Sequence, residues 1–315
     1  MINPHNLKRD VMSPEILSDP EGQFPPHYNR STFMFRHGLS GHPLLQLSSL
    51  IDLGDRLERY NGCYWSNGPV DVTDRWDKGV DRSRSLRKTL EGIEVNNSLV
   101  MLKYVVHDPI AGPFFRDVLA TIMQLAGFRM AEDVLVGRAT ILVASPHRIT
   151  NYHIDADVNY LLQVAGDKSF SVFDQNDRML TTDEELERYF GGDDSAACLK
   201  TDRQSEATVY DLRAGSGVHV PCMAPHWARN GEQVSIAVSC NFDLASVQRL
   251  SLIYKTNGRL RSLGIRPRSP RDRSWSNDAK ALGARTVIAM RSLLRPQAAR
   301  GPEEAGWAPP VIRNH

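Results

Sequence analysis

Short apolar segments separated by turn residues fill the chain between residues 134 and 243. Each segment has the length and the β-branched or aromatic content of a strand. They read ATILVA, YLLQVA, KSFSVF, EATVYDL, GVHVP and VSIAVSCNF. Several short strands at such close intervals predict an antiparallel barrel or a two-sheet sandwich rather than a parallel βαβ sheet.

The regions on either side of these segments have the apolar period of helices. The helices expected from this spacing are 43–57, 113–126, 182–190, 245–255 and 277–295. The second is followed by Gly127, and the third begins with Thr182 and Glu185 in capping-box spacing. Helices are therefore expected to flank a central β-domain, and one short helix is expected to interrupt it.

Three regions follow from this pattern. Residues 1–133 are expected to form an N-terminal arm and a mixed helical and β region that packs on the barrel. Within this region, residues 1–40 are rich in proline and polar groups, which predicts little regular structure, and 99–106 (LVMLKYVV) have the composition of a strand. Residues 134–243 are the predicted β-domain, and residues 244–315 form a helical C-terminal region.

Composition narrows the class of protein. A chain of 315 residues that is 41% hydrophobic can bury one large core or two modest ones. The first residues lack the apolar core of a secretory signal, and no apolar run is long enough to span a bilayer. We therefore expect a cytoplasmic protein with no membrane partner. The scattered cysteines, Cys63, Cys198, Cys222 and Cys240, predict buried reduced thiols rather than a disulfide framework or a zinc knuckle.

Basic residues are concentrated near the C-terminus. Residues 249–300 hold 13 lysines and arginines against two aspartates, a net charge of +11, whereas the whole chain has a net charge of +1. These arginines are distributed through predicted helices and a linker, without a recognised fold for reading bases. A nucleic-acid partner is therefore not expected.

The segment TNYHIDADVNYLLQVAGDK, residues 150–168, places His153 and Asp155 two residues apart. Strand side chains alternate between faces, so both would point the same way and could share one metal ion. His226, in VPCMAPHWARNG on a later β-segment, is the best candidate for a third ligand. Two imidazoles and one carboxylate form the facial set that suits Fe(II) and leaves positions open. About one H-x-[DE] tripeptide is expected by chance, so the tripeptide alone fits a surface pair.

The same segments resemble the core motif of the JmjC-type, cupin-like Fe(II)- and 2-oxoglutarate-dependent oxygenases. The resemblance is closest to the branch of the asparaginyl hydroxylase that acts on hypoxia-inducible factor. That branch has a threonine three residues before the first metal histidine, an asparagine six after it and a lysine fifteen after it, matched by Thr150, Asn159 and Lys168. A histidine five residues after a proline and an asparagine fifteen further on are matched by His226 and Asn241.

This resemblance covers about residues 134–243, a third of the chain. It implies a double-stranded β-helix, or jelly roll, that binds Fe(II) through His153, Asp155 and His226. The implied reaction consumes O2 and decarboxylates 2-oxoglutarate to succinate and CO2, with hydroxylation of a C–H bond in a protein, peptide or small-molecule substrate. A homodimer through the C-terminal helices is implied as well.

The resemblance also assigns residues to the co-substrate. Lys168 would pair with the distal carboxylate of 2-oxoglutarate, and Thr150 would donate a hydroxyl beside it. Asn159 and Asn241 would orient the co-substrate or neighbouring groups. The alternatives are a solvated lysine at a strand end and two amides that satisfy backbone groups.

The sequence departs from the family pattern at two places. An acidic residue and a tyrosine common near the second histidine are replaced by Ser216 and His219, which affects the turn and the expected pocket wall. A tyrosine from an earlier strand often helps to hold the 2-oxoglutarate carboxylate. Its counterpart here is Met101, Lys103 or Tyr104, because the register of 99–106 is not fixed by the sequence.

Two other functions remain open at this point. One is a non-catalytic cupin-like module for binding or regulation, although such a module has no need of both the triad and the lysine. The other is a metal-dependent cupin enzyme that does not use 2-oxoglutarate. Such enzymes usually carry three histidines or an added glutamate, whereas this strand offers Asp155.

Overall fold

The computed structural model describes residues 16–76, 83–272, 274–294 and 306–308. The strands are Leu17–Ser18 (β1), Phe33–His37 (β2), Cys63–Ser66 (β3), Leu99–Leu102 (β4), Val134–Ala144 (β5), Ile149–His153 (β6), Val158–Ala165 (β7), Asp167–Val172 (β8), Thr208–Arg213 (β9), Ser216–Val220 (β10), His226–Asn230 (β11) and Ser235–Leu244 (β12). The α-helices are Phe24–His27 (α1), Leu47–Glu58 (α2), Leu86–Glu91 (α3), Gly112–Ala126 (α4), Phe128–Asp133 (α5), Asp183–Phe190 (α6), Ala245–Ser262 (α7) and Trp275–Leu294 (α8). Short 3-10 turns occupy Pro43–Leu45, Val105–His107 and Thr201–Glu206.

Two antiparallel sheets form the centre of the molecule. The large sheet has the order β1-β2-β10-β7-β12-β5-β4-β3, and the small sheet has the order β6-β11-β8-β9. Strands β5 to β12 contribute four members to each sheet, β5, β7, β10 and β12 to the large one and β6, β8, β9 and β11 to the small one. This alternation between two facing sheets is the double-stranded β-helix, so the predicted jelly roll with flanking helices is confirmed.

Apolar side chains pack on both faces of the large sheet. Between the two sheets lies a compact cluster made of Leu161, Phe170, Val172, Leu212, Val218, Val220, Ala224, Ala228 and Ala237. The outer face packs against helices, and α4 buries Phe115, Val118, Leu119 and Ile122 there. Because successive strand residues alternate between faces, one sheet can serve both cores.

Most of the predicted helices are present, but some begin or end at other residues than predicted. Helix α4 ends before Gly127, and α6 has a complete capping box between Thr182 and Glu185, both as expected. The helix predicted at 245–255 continues as α7 to Ser262, because Asn257 and Gly258 lie within it rather than after it. Helix α8 begins at Trp275, and the predicted end at Arg295 lies outside the described residues.

The region before the jelly roll is more regular than expected. Among residues 16–40, β1 pairs with β2 and β2 pairs with β10, so this segment extends the large sheet and is not an irregular arm. The strand predicted at 99–106 ends at Leu102, and Tyr104 follows with a left-handed φ of 60°. The helix predicted at 43–57 is a 3-10 turn followed by α2.

The cysteines and the helices bear on two predictions made from composition. All four cysteines are free, as expected. Only Cys222 and Cys240 are buried, whereas Cys63 is half-buried and Cys198 is exposed, so the expectation of buried thiols is wrong for these last two. No helix in the described ranges is long and apolar enough to cross a membrane.

Candidate metal centre and cavity

The three predicted metal ligands lie together at one end of the jelly roll. His153 is the last residue of β6, His226 is the first residue of β11, and the two are register partners. Their ring centroids are 4.1 Å apart. Asp155 Oδ2 lies 3.7 Å from His153 Nε2 and 3.5 Å from His226 Nε2. One ligand atom from each residue therefore fits within 4.8 Å of the others.

Strand alternation is not what brings the carboxylate to the histidines. Strand β6 ends at His153, and Asp155 belongs to the turn that follows. A β-bulge affects the other side of His153, because His226 pairs with His153 while Ala228 pairs with Thr150. Three residue steps in β6 thus match two in β11, which allows Thr150 and His153 to face the same cavity despite their odd spacing.

Both imidazoles are oriented by the backbone. His153 Nδ1 donates to the carbonyl oxygen of Asn151 at 2.7 Å, and His226 Nδ1 donates to that of Ala224 at 2.9 Å. Each bond places the ring proton on Nδ1 and leaves the Nε2 lone pair free. A second hydrogen bond of this kind is how proteins fix the tautomer of a metal-binding histidine.

Burial sets the charge of these ligands. It lowers the pKa of His153 and of His226 to about 4, so both rings are neutral at pH 7. It also raises the pKa of Asp155, with the nearby Asp194 carboxylate acting in the same direction. Neutral imidazoles can bind a metal without losing a proton first, and a divalent cation would offset the cost of burying the carboxylate.

A cavity of about 800 Å³ opens between the two sheets beside these ligands. All four residues assigned to the co-substrate line it, Thr150 and Lys168 from the small sheet and Asn159 and Asn241 from the large sheet. The cavity therefore brings together every site residue that the sequence singled out.

Lys168 is the most informative of these residues. Its side chain is nearly enclosed, with a residue exposure of 6%, so the alternative of a solvated lysine is wrong. Burial lowers the pKa of Lys168 to about 8, and within the described ranges no carboxylate offsets its charge. A buried ammonium without a partner is costly, and an anion in the cavity would relieve that cost.

A row of polar side chains follows the large-sheet wall. The Ser239 hydroxyl lies within donating distance of two side-chain oxygens, Asn159 Oδ1 at 3.1 Å and Asn241 Oδ1 at 2.8 Å. Asn241 Nδ2 donates to Asp157 Oδ1 at 3.1 Å. Strands β7 and β12 make this row possible, because Asn159 and Asn241 are register partners. Both asparagines are thus held with their side chains along the cavity.

Asp157 and Tyr189 belong to the site but were not recognised in the sequence. Burial and the Asp155 carboxylate raise the pKa of Asp157 to about 7, and Arg138 lies 3.9 Å from it. Asp157 follows Asp155 by two residues, a spacing that could have pointed to it. Tyr189 comes from α6, and no periodic signal links that helix to the cavity.

The sequence left open which residue replaces a tyrosine of the earlier strand, and it placed His219 in the expected pocket wall. Met101, Lys103 and Tyr104 all line the cavity, so the counterpart of the family tyrosine stays open among them. His219 does not form the pocket wall as expected. It is fully buried on the other face of β10, where Asn29 N donates to its Nε2 and its Nδ1 donates to the Asn159 carbonyl.

No family model matches this chain, and no curated protein matches it in sequence. Among solved structures, the Escherichia coli ribosomal oxygenase YcfD is 15% identical with a TM-score of 0.45, covering 89% of this chain and 68% of that chain. The same oxygenase in complex with cobalt and 2-oxoglutarate is 15% identical with a TM-score of 0.42, covering 83% of this chain and 64% of that chain.

A smaller match is the Lactobacillus farciminis oxalate decarboxylase formate complex, 15% identical with a TM-score of 0.24, covering 35% of this chain and 28% of that chain. This chain spans 65% of the ribosomal oxygenase in the complex with cobalt and succinic acid, about two thirds of its length. All these TM-scores are below 0.5.

Proposed function

We propose that this protein is an Fe(II)- and 2-oxoglutarate-dependent oxygenase that hydroxylates a C–H bond of a protein, peptide or small-molecule substrate. One observation carries the proposal. A single cavity contains three metal-ligand atoms within 4.8 Å of one another and a buried lysine, Lys168, whose charge is not offset by any carboxylate among the described residues. A metal ion and a dicarboxylic acid would satisfy both features together.

The donor set fits ferrous iron. Two neutral imidazoles from His153 and His226 and one carboxylate from Asp155 form the facial arrangement that leaves further positions free. Iron with 2-oxoglutarate and O2 would supply the oxidation of the substrate, coupled to decarboxylation of the keto acid to succinate. The part of the protein is to hold these three side chains in one orientation. The Nδ1 hydrogen bonds to the Asn151 and Ala224 carbonyls do this for the two histidines.

The remaining cavity residues suit the co-substrate. The Lys168 ammonium pairs with the distal carboxylate, and the Thr150 hydroxyl donates to the same group. Asn159 and Asn241, linked through Ser239, offer amide groups along the opposite wall. The apolar cluster between the sheets excludes water beyond these groups, which strengthens their interactions with a charged ligand.

The proposal also includes the branch of the family. The spacing of Thr150, Asn159, Lys168 and Asn241 supports a relation to the asparaginyl hydroxylase branch of the 2-oxoglutarate-dependent oxygenases. The expected cytoplasmic location and the absence of a nucleic-acid partner stay predictions.

An anaerobic titration tests the proposal. The purified chain is mixed with Fe(II) and then with 2-oxoglutarate, and the visible charge-transfer band of the chelate is followed. We expect a band with the native chain and none with His153→Ala, and succinate when air is admitted. Absence of both band and succinate would favour a binding module. Oxygen consumption that is independent of 2-oxoglutarate would favour a different metal-dependent cupin enzyme.

A further inference from the structure

The turn that carries Asp155 lies outside the regular hydrogen bonding of the sheet. It connects β6 to β7, and its backbone is held from two directions. Met223 N donates to the Asp155 carbonyl oxygen at 2.7 Å, and Ala156 N donates to the phenolic oxygen of Tyr189 at 3.0 Å. The residue after the carboxylate is therefore anchored by a side chain from a distant helix.

Tyr189 is itself well supported. It lies near the C-terminal end of α6, the helix that starts with the capping box, and it lines the cavity. Its ring makes an edge contact with Phe190, with centroids 5.2 Å apart, and Phe190 stacks on Tyr254 of α7 at 5.5 Å. The phenol is thus placed by helix packing and not by a mobile surface loop.

The charge state of the phenol suits this contact. Burial, together with the carboxylates of Asp155 and Asp157, raises the pKa of Tyr189. A neutral hydroxyl accepts the Ala156 N–H and keeps its own proton available for the cavity. The contact with the turn is therefore a hydrogen bond between neutral groups over the whole physiological pH range.

We propose that Tyr189 is a positioning residue that holds the turn at Ala156 and so directs the Asp155 carboxylate towards the two histidines. The inference rests on the proposed metal site. Asp155 lies beyond the end of β6, and among the described residues its backbone is not paired in a strand, so its direction depends on the two anchors of the turn. Loss of one anchor allows the carboxylate to swing away from the position that completes the ligand set.

The first test is metal affinity, measured without turnover. Tyr189→Phe keeps the ring and removes the hydroxyl, and Co(II) binding is followed by the visible spectrum and by calorimetry. We expect affinity to fall by about 10- to 100-fold, the usual effect of removing a group that orients a metal ligand. The Co(II) spectrum should also change, because the carboxylate no longer sits in one geometry.

Tyr254→Phe is the matched control. It removes a tyrosine hydroxyl that donates to Asp183 Oδ1 at 3.3 Å, at the opposite end of α6 from Tyr189. If Tyr189→Phe acted only by loosening α6, its Co(II) affinity should equal that of Tyr254→Phe. We therefore expect Tyr254→Phe to bind Co(II) like the native chain, while thermal unfolding of both metal-free variants gives similar melting temperatures.

A second measurement needs no variant. In the metal-free native chain labelled with ¹⁵N-alanine, exchange of the Ala156 amide proton should be slow, and addition of Co(II) should change it little. Fast exchange of this amide, or native Co(II) affinity in Tyr189→Phe, overturns the role of Tyr189. If the native chain itself binds no Co(II), the proposed function fails instead, so the two failures are distinguishable.

Discussion

His153 and His226 face each other as register partners across β6 and β11, and each ring donates its Nδ1 proton to the carbonyl two residues before it. The two histidines are thus held in the same way on two adjacent strands. Because the sheet fixes both backbones, the Nε2 atoms are directed to a common point before any metal arrives. Such preorganisation is expected of a metal centre and is not needed for packing.

Removal of one of these rings should abolish tight metal binding. We expect His226→Ala to weaken Fe(II) or Co(II) binding by more than about 100-fold. Removal of a group that only orients a ligand lowers metal affinity by about 10- to 100-fold, and removal of the ligand itself should lower it further. Isothermal titration calorimetry of the metal-free chain provides the measurement. His147→Ala, at an exposed position outside the cavity, is the control. Equal affinity in the two variants would contradict the assignment.

Replacement of Lys168 should have opposite effects on ligand binding and on stability. We expect Lys168→Met to raise the KM for 2-oxoglutarate by about 100-fold or more, because a buried carboxylate that loses its cation is destabilised by about 3 kcal/mol. Metal affinity in the absence of 2-oxoglutarate should be unchanged.

The same variant should make the ligand-free chain more stable, because it removes a buried ammonium that has no carboxylate partner in the part of the chain that the structure describes. Urea unfolding of Lys168→Met and of Lys255→Met, which changes an exposed lysine of α7, distinguishes this effect from a general gain in hydrophobicity. A loss of stability in Lys168→Met would show that the ammonium is satisfied within the chain.

Much of the site could be predicted because several of its residues lie close together in the sequence. The distances in sequence among Thr150, His153, Asn159 and Lys168 are set within three consecutive strands, so a resemblance over this stretch fixes their places. The bulge between Thr150 and His153 could not be foreseen, since it appears only in the pairing of β6 with β11. Simple alternation would have placed those two side chains on opposite faces.

Residues that reach the site from elsewhere in the chain were not predictable in the same way. Tyr189 comes from a helix inserted between β8 and β9, and its contact with Ala156 depends on how that helix packs. His219 is the opposite case, a residue that was expected in the pocket wall and does not reach it. Its neighbours Val218 and Val220 belong to the cluster between the sheets, and strand alternation then sends His219 to the outer face.

Two histidines away from the metal ligands should make the chain sensitive to acid. Burial lowers the pKa of His37 to about 4 and that of His219 to about 3. Unfolded histidines have a pKa near 6.5, so the unfolded state takes up protons first as the pH falls. The free energy of unfolding should therefore decrease from about pH 6.5 down to about pH 4, by about 1.4 kcal/mol per pH unit for each histidine.

Urea unfolding at a series of pH values measures this slope. His219→Gln keeps an amide in place of the ring and removes one titrating group, so its slope should be smaller than that of the native chain. An unchanged slope would mean that His219 is protonated in the folded state.

A contact near the C-terminus should contribute to stability. Trp307 and Gly137 exchange two backbone hydrogen bonds of 2.9 Å, and a Cβ atom on Gly137 would lie 3.0 Å from the Trp307 ring and 3.2 Å from Phe242. Glycine is otherwise unfavourable within a strand, so the close approach of the indole explains it. We expect Gly137→Val and Trp307→Ala each to lower stability by about 1–3 kcal/mol.

The two changes should not be additive, because both remove the same contact. A double-mutant cycle measured by thermal unfolding therefore tests the contact itself. Additive losses would indicate that the glycine and the tryptophan stabilise the chain independently.

Exposed apolar residues on the C-terminal helices bear on the predicted homodimer. Trp275 and Leu282 are 81% and 68% exposed and lie seven residues apart on α8, which places them on the same side of that helix. A second copy that covers this side would remove both from water, and we expect the native chain to be a dimer in sedimentation velocity experiments. The double variant Trp275→Ser with Leu282→Ser should be monomeric, whereas Val95→Ser, at a position 87% exposed elsewhere, should leave the dimer intact. A native chain that stays monomeric at high concentration would rule out this arrangement.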